Sequence, residues 1–168
     1  GVTVDLVAGT ATGGAGNDTL SSIEGAVGSD HADTLIGNGD ANTLLGGNGA
    51  DSLVGGLGDD SADGGLGNDT VTGGEGNDTL LGGEGNDSVA SDLGTDLLSG
   101  GNGDDTVSGG AEADTLLGEA GNDSLLGGNG ADSLDGGAGD DIASYAGASS
   151  GVTVDLVAGT ATGGAGND

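Results

Sequence analysis

Residues 28–144 form an unbroken run of thirteen nonapeptides of the form G-G-x-G-x-D-x-U-x, where U is a large apolar residue. The cleanest copies read GGNGADSLV (46–54), GGLGNDTVT (64–72), GGEGNDTLL (73–81) and GGNGADSLD (127–135). A short fixed period signals stacked repeats, each too small to bury its own apolar face. Positions 1 to 6 are too rich in glycine for helix or ordinary strand, and repeated glycine points to tight turns. Positions 7 to 9 have strand composition, as in Thr70-Val71-Thr72 and Thr79-Leu80-Leu81. A three-residue strand cannot stand alone, whereas stacked copies can share a core. Two nonapeptides then make one coil, with a strand on each side and a turn at each end. The expected fold is all-β, a right-handed parallel β-roll.

The position-8 residues should line its interior: Leu20, Leu35, Leu44, Leu53, Val71, Leu80, Val89, Leu98, Val107, Leu116, Leu125 and Leu134. Ala62 and Ala143 are small at that position and should leave the core thin. Turns on one edge recur every 18 residues and stack ~4.8 Å apart. One edge then carries Asp33, Asp51, Asp69, Asp87, Asp105, Asp123 and Asp141; the other carries Asn42, Asp60, Asp78, Asp96, Asp114 and Asp132. Carboxylates at that spacing repel one another unless a cation lies between them. Glycine-rich turns also supply carbonyl oxygens, so each gap offers about six hard oxygen ligands, the chemistry of Ca²⁺. An Asp shared between two ions would make binding cooperative along the stack.

Composition favours a cation as partner. The chain has 29 Asp and Glu, no Lys or Arg, and a formal charge of -29. Nothing in the protein offsets this charge, so the chain should stay expanded until cations bind. Nucleic acid and anionic membrane surfaces are poor partners, since both are recognised through Lys and Arg, and neither nucleic-acid binding nor membrane insertion is expected. Phe, Trp, Met and Pro are absent and Tyr145 is the only aromatic residue. One apolar side chain per nonapeptide does not balance the entropy of ordering nine residues. The metal-free chain is therefore expected to be mostly disordered, with metal binding supplying much of the folding free energy. There is no cysteine, hence no disulfide and no thiolate site. No signal-peptide pattern and no apolar run of membrane-spanning length occurs. The first residue is Gly rather than Met, and the chain reads as an excerpt of something longer.

Residues 151–168 repeat residues 1–18 identically, GVTVDLVAGTATGGAGND. The chain thus reads as one module, 1–150, followed by the start of an identical one, 151–168. Within the module, 1–12 is expected as a lead-in strand coil and 13–21 (GGAGNDTLS) as the first nonapeptide. Residues 22–27 read as an insertion, 28–144 as the repeats, and 145–150 as the start of a linker coil. The stretch 145–162 equals two nonapeptides in length, and Val152, Val154 and Leu156 alternate with Thr153 and Asp155. It is expected to continue the roll as a modified coil rather than to stand apart as a hairpin cap.

These repeats resemble the repeats-in-toxin (RTX) family of secreted bacterial proteins over nearly the whole chain. The flanking segment 1–38 is also similar to what precedes such blocks in large bacterial surface proteins. The resemblance implies type I secretion of the unfolded chain and calcium-triggered folding outside the cell. It also implies that carbonyls of positions 1 to 4 join the position-6 Asp around each ion. The candidate carboxylates are Asp18, Asp33, Asp51, Asp60, Asp69, Asp78, Asp87, Asp96, Asp105, Asp114, Asp123, Asp132, Asp141 and Asp168. The candidate carbonyl donors are Gly47, Gly49, Gly56, Gly58, Gly65, Gly67, Gly74 and Gly76, continuing with Gly83, Gly85, Gly101, Gly103, Gly128, Gly130, Gly137 and Gly139. Asn42 should weaken its site. SDLGTDLLS (91–99) lacks both leading glycines, Glu112 replaces a position-4 glycine, and Asp30, His31 and Ala32 depart from the pattern at the repeat beginning at Gly28.

Other features read blandly. His31 has no second His or Cys to form a transition-metal site. Asn-Asp-Thr sequons follow automatically from the repeat. The pairs Asp59-Asp60, Asp104-Asp105 and Asp140-Asp141 add surface charge and imply no acid–base chemistry. Leu45, Leu81 and Leu117 could form a stripe for lateral association. The chain is read as non-enzymatic: a calcium-binding structural module of an extracellular adhesin, fibre or surface-layer protein, located outside the cell or at its surface. Its partners are calcium ions and neighbouring identical modules, met end to end or side by side. The alternative is the export and folding domain of a type I-secreted protease or lipase. Ice binding ranks low, because position 3 carries no Thr in the clean repeats.

Overall fold

The computed structural model describes residues 1–14, 16–149, 151–163 and 166–167. Three strands open the chain: β1 (Val2–Asp5), β2 (Thr10–Gly13) and β3 (Gly16–Thr19). After them the chain alternates between two parallel sheets. One takes β5 (Thr34–Ile36), β7 (Ser52–Leu57), β9 (Thr70–Glu75), β11 (Ser88–Ala90), β13 (Thr106–Ala111), β15 (Ser124–Asn129) and β17 (Ile142–Ala143). The other takes β4 (Gly25–Val27), β6 (Thr43–Asn48), β8 (Ser61–Leu66), β10 (Thr79–Glu84), β12 (Leu97–Asn102), β14 (Thr115–Ala120) and β16 (Ser133–Asp135). Every parallel pair between roll strands is offset by 18 residues, as in Leu53↔Val71 and Leu80↔Leu98. This is the expected β-roll with two nonapeptides per coil.

Position 8 builds the core. Leu35, Leu44, Leu53, Val71, Leu80, Val89, Leu98, Val107, Leu116 and Leu125 are buried, and Ala62 keeps its place between Leu44 and Leu80. Leu20 and Leu134 are only partly buried at the two ends, and Ala143 is exposed. No helix among the described residues is long and apolar enough to cross a membrane.

Strand pairing runs further than residue preference suggests. Typical strands have six residues and continue through positions 1 to 3 of the next repeat, as in Thr79–Glu84, TLLGGE. The stacked neighbour specifies the pairing and overrides the low strand propensity of Gly-Gly. The position-1 glycine faces inward, and a Cβ at Gly82 would lie 2.5 Å from both Asp87 Oδ2 and the Gly100 carbonyl oxygen. At position 4 of the turn, Gly67 has φ +136°, and a Cβ there would overlap the Gly49 carbonyl oxygen.

Three expectations about the flanks are corrected. First, β1, β2 and β3 form an antiparallel meander rather than a coil: β1 pairs with β2 and β2 with β3, while β1 joins the roll in parallel through Val4↔Leu35. Asp5 Oδ1 accepts the Ala8 N–H at 2.7 Å and Gly9 has φ +65°, so the local residues close a hairpin turn. Second, residues 22–27 are not an insertion. Gly25–Val27 pairs with Thr43–Leu45 at the standard offset of 18, so 19–27 acts as a degenerate nonapeptide with Glu24 at position 6. Ser22 stands at position 4 of that unit and has φ 55°, the left-handed state that glycine adopts in the other repeats. Third, the described residues of 145–162 do not form a coil of the roll. β18 (Val152–Asp155), β19 (Thr160–Gly163) and β20 (Gly166–Asn167) make a separate antiparallel sheet. The same turn chemistry recurs there, with Asp155 Oδ1 accepting from Val157 and Ala158 at 3.0 Å and Gly159 at φ +64°.

Candidate metal centres along the two turn edges

Each turn edge carries a ladder of buried carboxylates. Asp33, Asp51, Asp69, Asp87, Asp105 and Asp123 on one edge, and Asn42, Asp60, Asp78, Asp96, Asp114 and Asp132 on the other, are all buried; Asp141 is half-buried at the end. Their backbone amides fix the geometry. The N–H of Asp51 donates to Asp69 Oδ1 at 2.7 Å, that of Asp69 to Asp87 Oδ1 at 2.7 Å, and that of Asp87 to Asp105 Oδ1 at 2.7 Å. The same bond joins Asp60 to Asp78 at 2.8 Å and Asp78 to Asp96 at 2.7 Å on the other edge. One oxygen of each carboxylate is thereby committed to the preceding coil.

The second oxygen is not satisfied. Oδ2 of Asp51, Asp60, Asp69, Asp87, Asp96, Asp105, Asp114 and Asp123 is buried without a hydrogen-bond partner. A buried, unpaired carboxylate oxygen is costly. Burial accordingly pushes Asp60, Asp69, Asp105 and Asp114 up from 3.8 to about 6, against the lowering effect of the amide bond. Asp51, Asp78 and Asp87 are raised for the same reason. Asp33 is also subject to burial, but bonds from the backbone of Ser29 and Val2 and from the Ser29 hydroxyl hold it below 3.8.

These oxygens face further acceptors. The space beside Gly64, where a Cβ would stand, is 2.5 Å from Asp69 Oδ2 and 2.6 Å from the Gly82 carbonyl oxygen. The same pairing of an Oδ2 with the carbonyl of the next coil recurs beside Gly46 and Gly82. Among the described residues no three His, Cys, Asp or Glu side chains converge, so any metal here must draw on backbone carbonyls as well as carboxylate. Gly47, Gly56, Gly65, Gly74, Gly83, Gly101, Gly128 and Gly137 at position 2 hold positive φ. So do Gly49, Gly58, Gly67, Gly76, Gly85, Gly103, Gly130 and Gly139 at position 4. A cradle of acceptors with no donor, made of a hard carboxylate and carbonyls, suits Ca²⁺.

A scan against family models matches the RTX calcium-binding nonapeptide repeat (4 copies) at residues 9–22, 27–62, 55–89, 63–98, 81–116, 91–125 and 108–143. The chain belongs to this family. Its repeats are calcium-binding, and their number implies many ions. No curated protein matches the chain.

Not every candidate residue reaches a ladder. Asp18 lies exposed in β3 opposite Ala11, because residues 13–21 sit outside the offset of 18. Asp168 lies outside the described residues. Asn42 supplies its own partners: its Oδ1 accepts the Asn38 N–H at 2.6 Å and its Nδ2 donates to the Glu24 carbonyl at 3.3 Å. Sequence reasoning missed a second ladder at position 5. Asn68 Oδ1 accepts the Asn86 N–H at 3.0 Å, Asn86 Oδ1 that of Asp104 at 3.1 Å, and Asp104 Oδ1 that of Asn122 at 2.9 Å. The recurrence of Asn or Asp every 18 residues was its signal.

Proposed function

We propose that this chain is a structural repeat module of an extracellular bacterial adhesin, fibre or surface-layer protein, locked into its roll by calcium after secretion. The observation that carries this reading is the file of buried, unpartnered Oδ2 atoms on both edges. Without a cation they oppose the fold; with Ca²⁺ between coils they hold it. Asp51, Asp60, Asp69, Asp87, Asp96, Asp105, Asp114, Asp123, Asp132 and Asp141, with the turn carbonyls around them, are the proposed ligands; Asp33 is left out because Val2 and Ser29 already bond both its oxygens.

The duplicated hairpin supports a tandem array. In the first copy Val4 and Leu6 are each 9% exposed against the roll that follows them; in the second, Val154 and Leu156 are 45% and 87% exposed. The second copy has the same β pairing, Val154↔Ala161 matching Val4↔Ala11. It is read as the start of the next module, which repeats residues 1–18 identically. A stack of coils with a repeated cap is a rod, and a spacer role follows from that shape.

The test is far-UV circular dichroism during a calcium titration from chelator to millimolar. A cooperative coil-to-β transition is expected. Full β-signal in chelator at neutral pH would show that packing alone holds the roll.

A further inference from the structure

Between Asp51 and Asp123 the run of orphaned Oδ2 atoms is broken once, at Asp78. There the Ser91 hydroxyl donates to Asp78 Oδ2 at 3.3 Å. Ser91 is buried and stands at position 1 of the next coil on the same edge, where the motif has glycine. Beside Gly55, Gly64, Gly82, Gly109 and Gly118 that coil presents a carbonyl oxygen to the carboxylate. Beside Gly73 the space instead meets Asp78 Oδ2 and, at 3.0 Å, the Ser91 Oγ. A proton donor has entered a pocket that, from Asp51 to Asp123, otherwise leaves Oδ2 without one.

The backbone departs at the same place. The position-2 glycines on this edge adopt positive φ, +114° at Gly74 and +109° at Gly110, but Asp92 between them does not. Strand β11 stops at Ala90, and the amides of Asp92 and Leu93 turn to the Gly74 carbonyl at 3.3 and 3.1 Å. One coil further, Glu112 replaces a position-4 glycine and accepts the Gly94 N–H at 3.1 Å. In the glycine turns a backbone carbonyl accepts the position-4 N–H, as Leu93 does from Gly76, so over two successive turns side chains enter the pairing: Ser91 at Asp78 Oδ2 and Glu112 at Gly94.

We infer that the turn pair 73–78 and 91–96 takes no calcium: the Ser91 hydroxyl satisfies Asp78 in place of an ion. This rests on the calcium reading of the other cradles. One edge then carries two short runs of ions separated by a hydrogen-bonded seam, while the opposite edge carries one continuous run. The two edges bind calcium as blocks of unequal length.

The ion count of the whole chain tests this, by native mass spectrometry at saturating calcium. Restoring the motif with Ser91→Gly/Asp92→Gly is expected to add one bound ion. Asp78→Asn is expected to leave the count unchanged, whereas Asp69→Asn, on the continuous edge, lowers it by at least one. An unchanged count in the double variant, or a loss with Asp78→Asn equal to that with Asp69→Asn, would overturn the inference. A wild-type chain that holds no calcium would overturn the proposed function, and this inference with it. Circular dichroism of each variant in calcium reports whether the roll has formed.

Discussion

Protons should substitute in part for calcium. In the roll, burial raises Asp60, Asp69, Asp105 and Asp114 from 3.8 to about 6. A carboxyl whose folded value lies above its unfolded value binds protons more tightly in the folded state. Its contribution is therefore complete below pH 4 and lost as the pH rises through 6. A displacement of this size corresponds to about 3 kcal/mol per group, reduced to about 1 kcal/mol once solvent screening is allowed for. The four groups together then favour the roll by about 4 kcal/mol at pH 4 relative to pH 7.5, a change of about a thousandfold in the folding equilibrium. Acid also lowers the charge of -29 that opposes compaction. The assay is far-UV circular dichroism in chelator across that range. The β-signal should grow on acidification, with its midpoint between pH 4 and 6, and calcium should abolish the dependence. A metal-free chain with equal or greater β-content at pH 7.5 would refute the assignment of these carboxylates as the groups that oppose folding.

Two substitutions test the packing. Leu80→Ala empties a fully buried position whose neighbour at the offset of 18 is already Ala62, and should cost about 2–5 kcal/mol, read as a higher calcium midpoint for folding. Gly67→Ala places a Cβ on the Gly49 carbonyl at φ +136° and should cost about 1–3 kcal/mol by the same assay, whereas Gly14→Ala, with open space around it, should change stability by less than about 0.5 kcal/mol.

The roll itself was legible because one period served several physical demands at once. A residue such as Leu80 must meet Leu98 in the core at the same offset that brings Asp78 to Asp96 at the edge. Where only one demand operates, the sequence misleads. Residues 13–21 match the motif by composition, but Asp18 has no partner 18 residues on, and the hairpin turn set by Asp5 and Gly9 wins. Residues 22–27 lack the motif altogether, yet Ala26 lies 18 residues before Leu44 and enters the stack. The linker's length, equal to one coil, was a weaker signal than the Asp155 turn within it. Offset therefore predicts membership of the roll better than resemblance to the consensus nonapeptide.

The amide-to-carboxylate bond also gives the stack a direction. Asp69 receives its hydrogen bond from Asp51 in the coil before and donates its own to Asp87 in the coil after. A carboxylate can be held with Oδ1 on its predecessor and Oδ2 in the cradle only after that predecessor is ordered. An ion in the Gly64 cradle would bind Asp69 Oδ2 and the carbonyl of Gly82, so it orders the following coil in turn. Each filled site thus prepares the next. A run of identical turns propagates this coupling, and a turn that satisfies its carboxylate with a serine interrupts the ionic part of it while the strands stay paired across the gap through Leu80↔Leu98. The roll can therefore remain a single solenoid while its calcium sites fill in separate blocks.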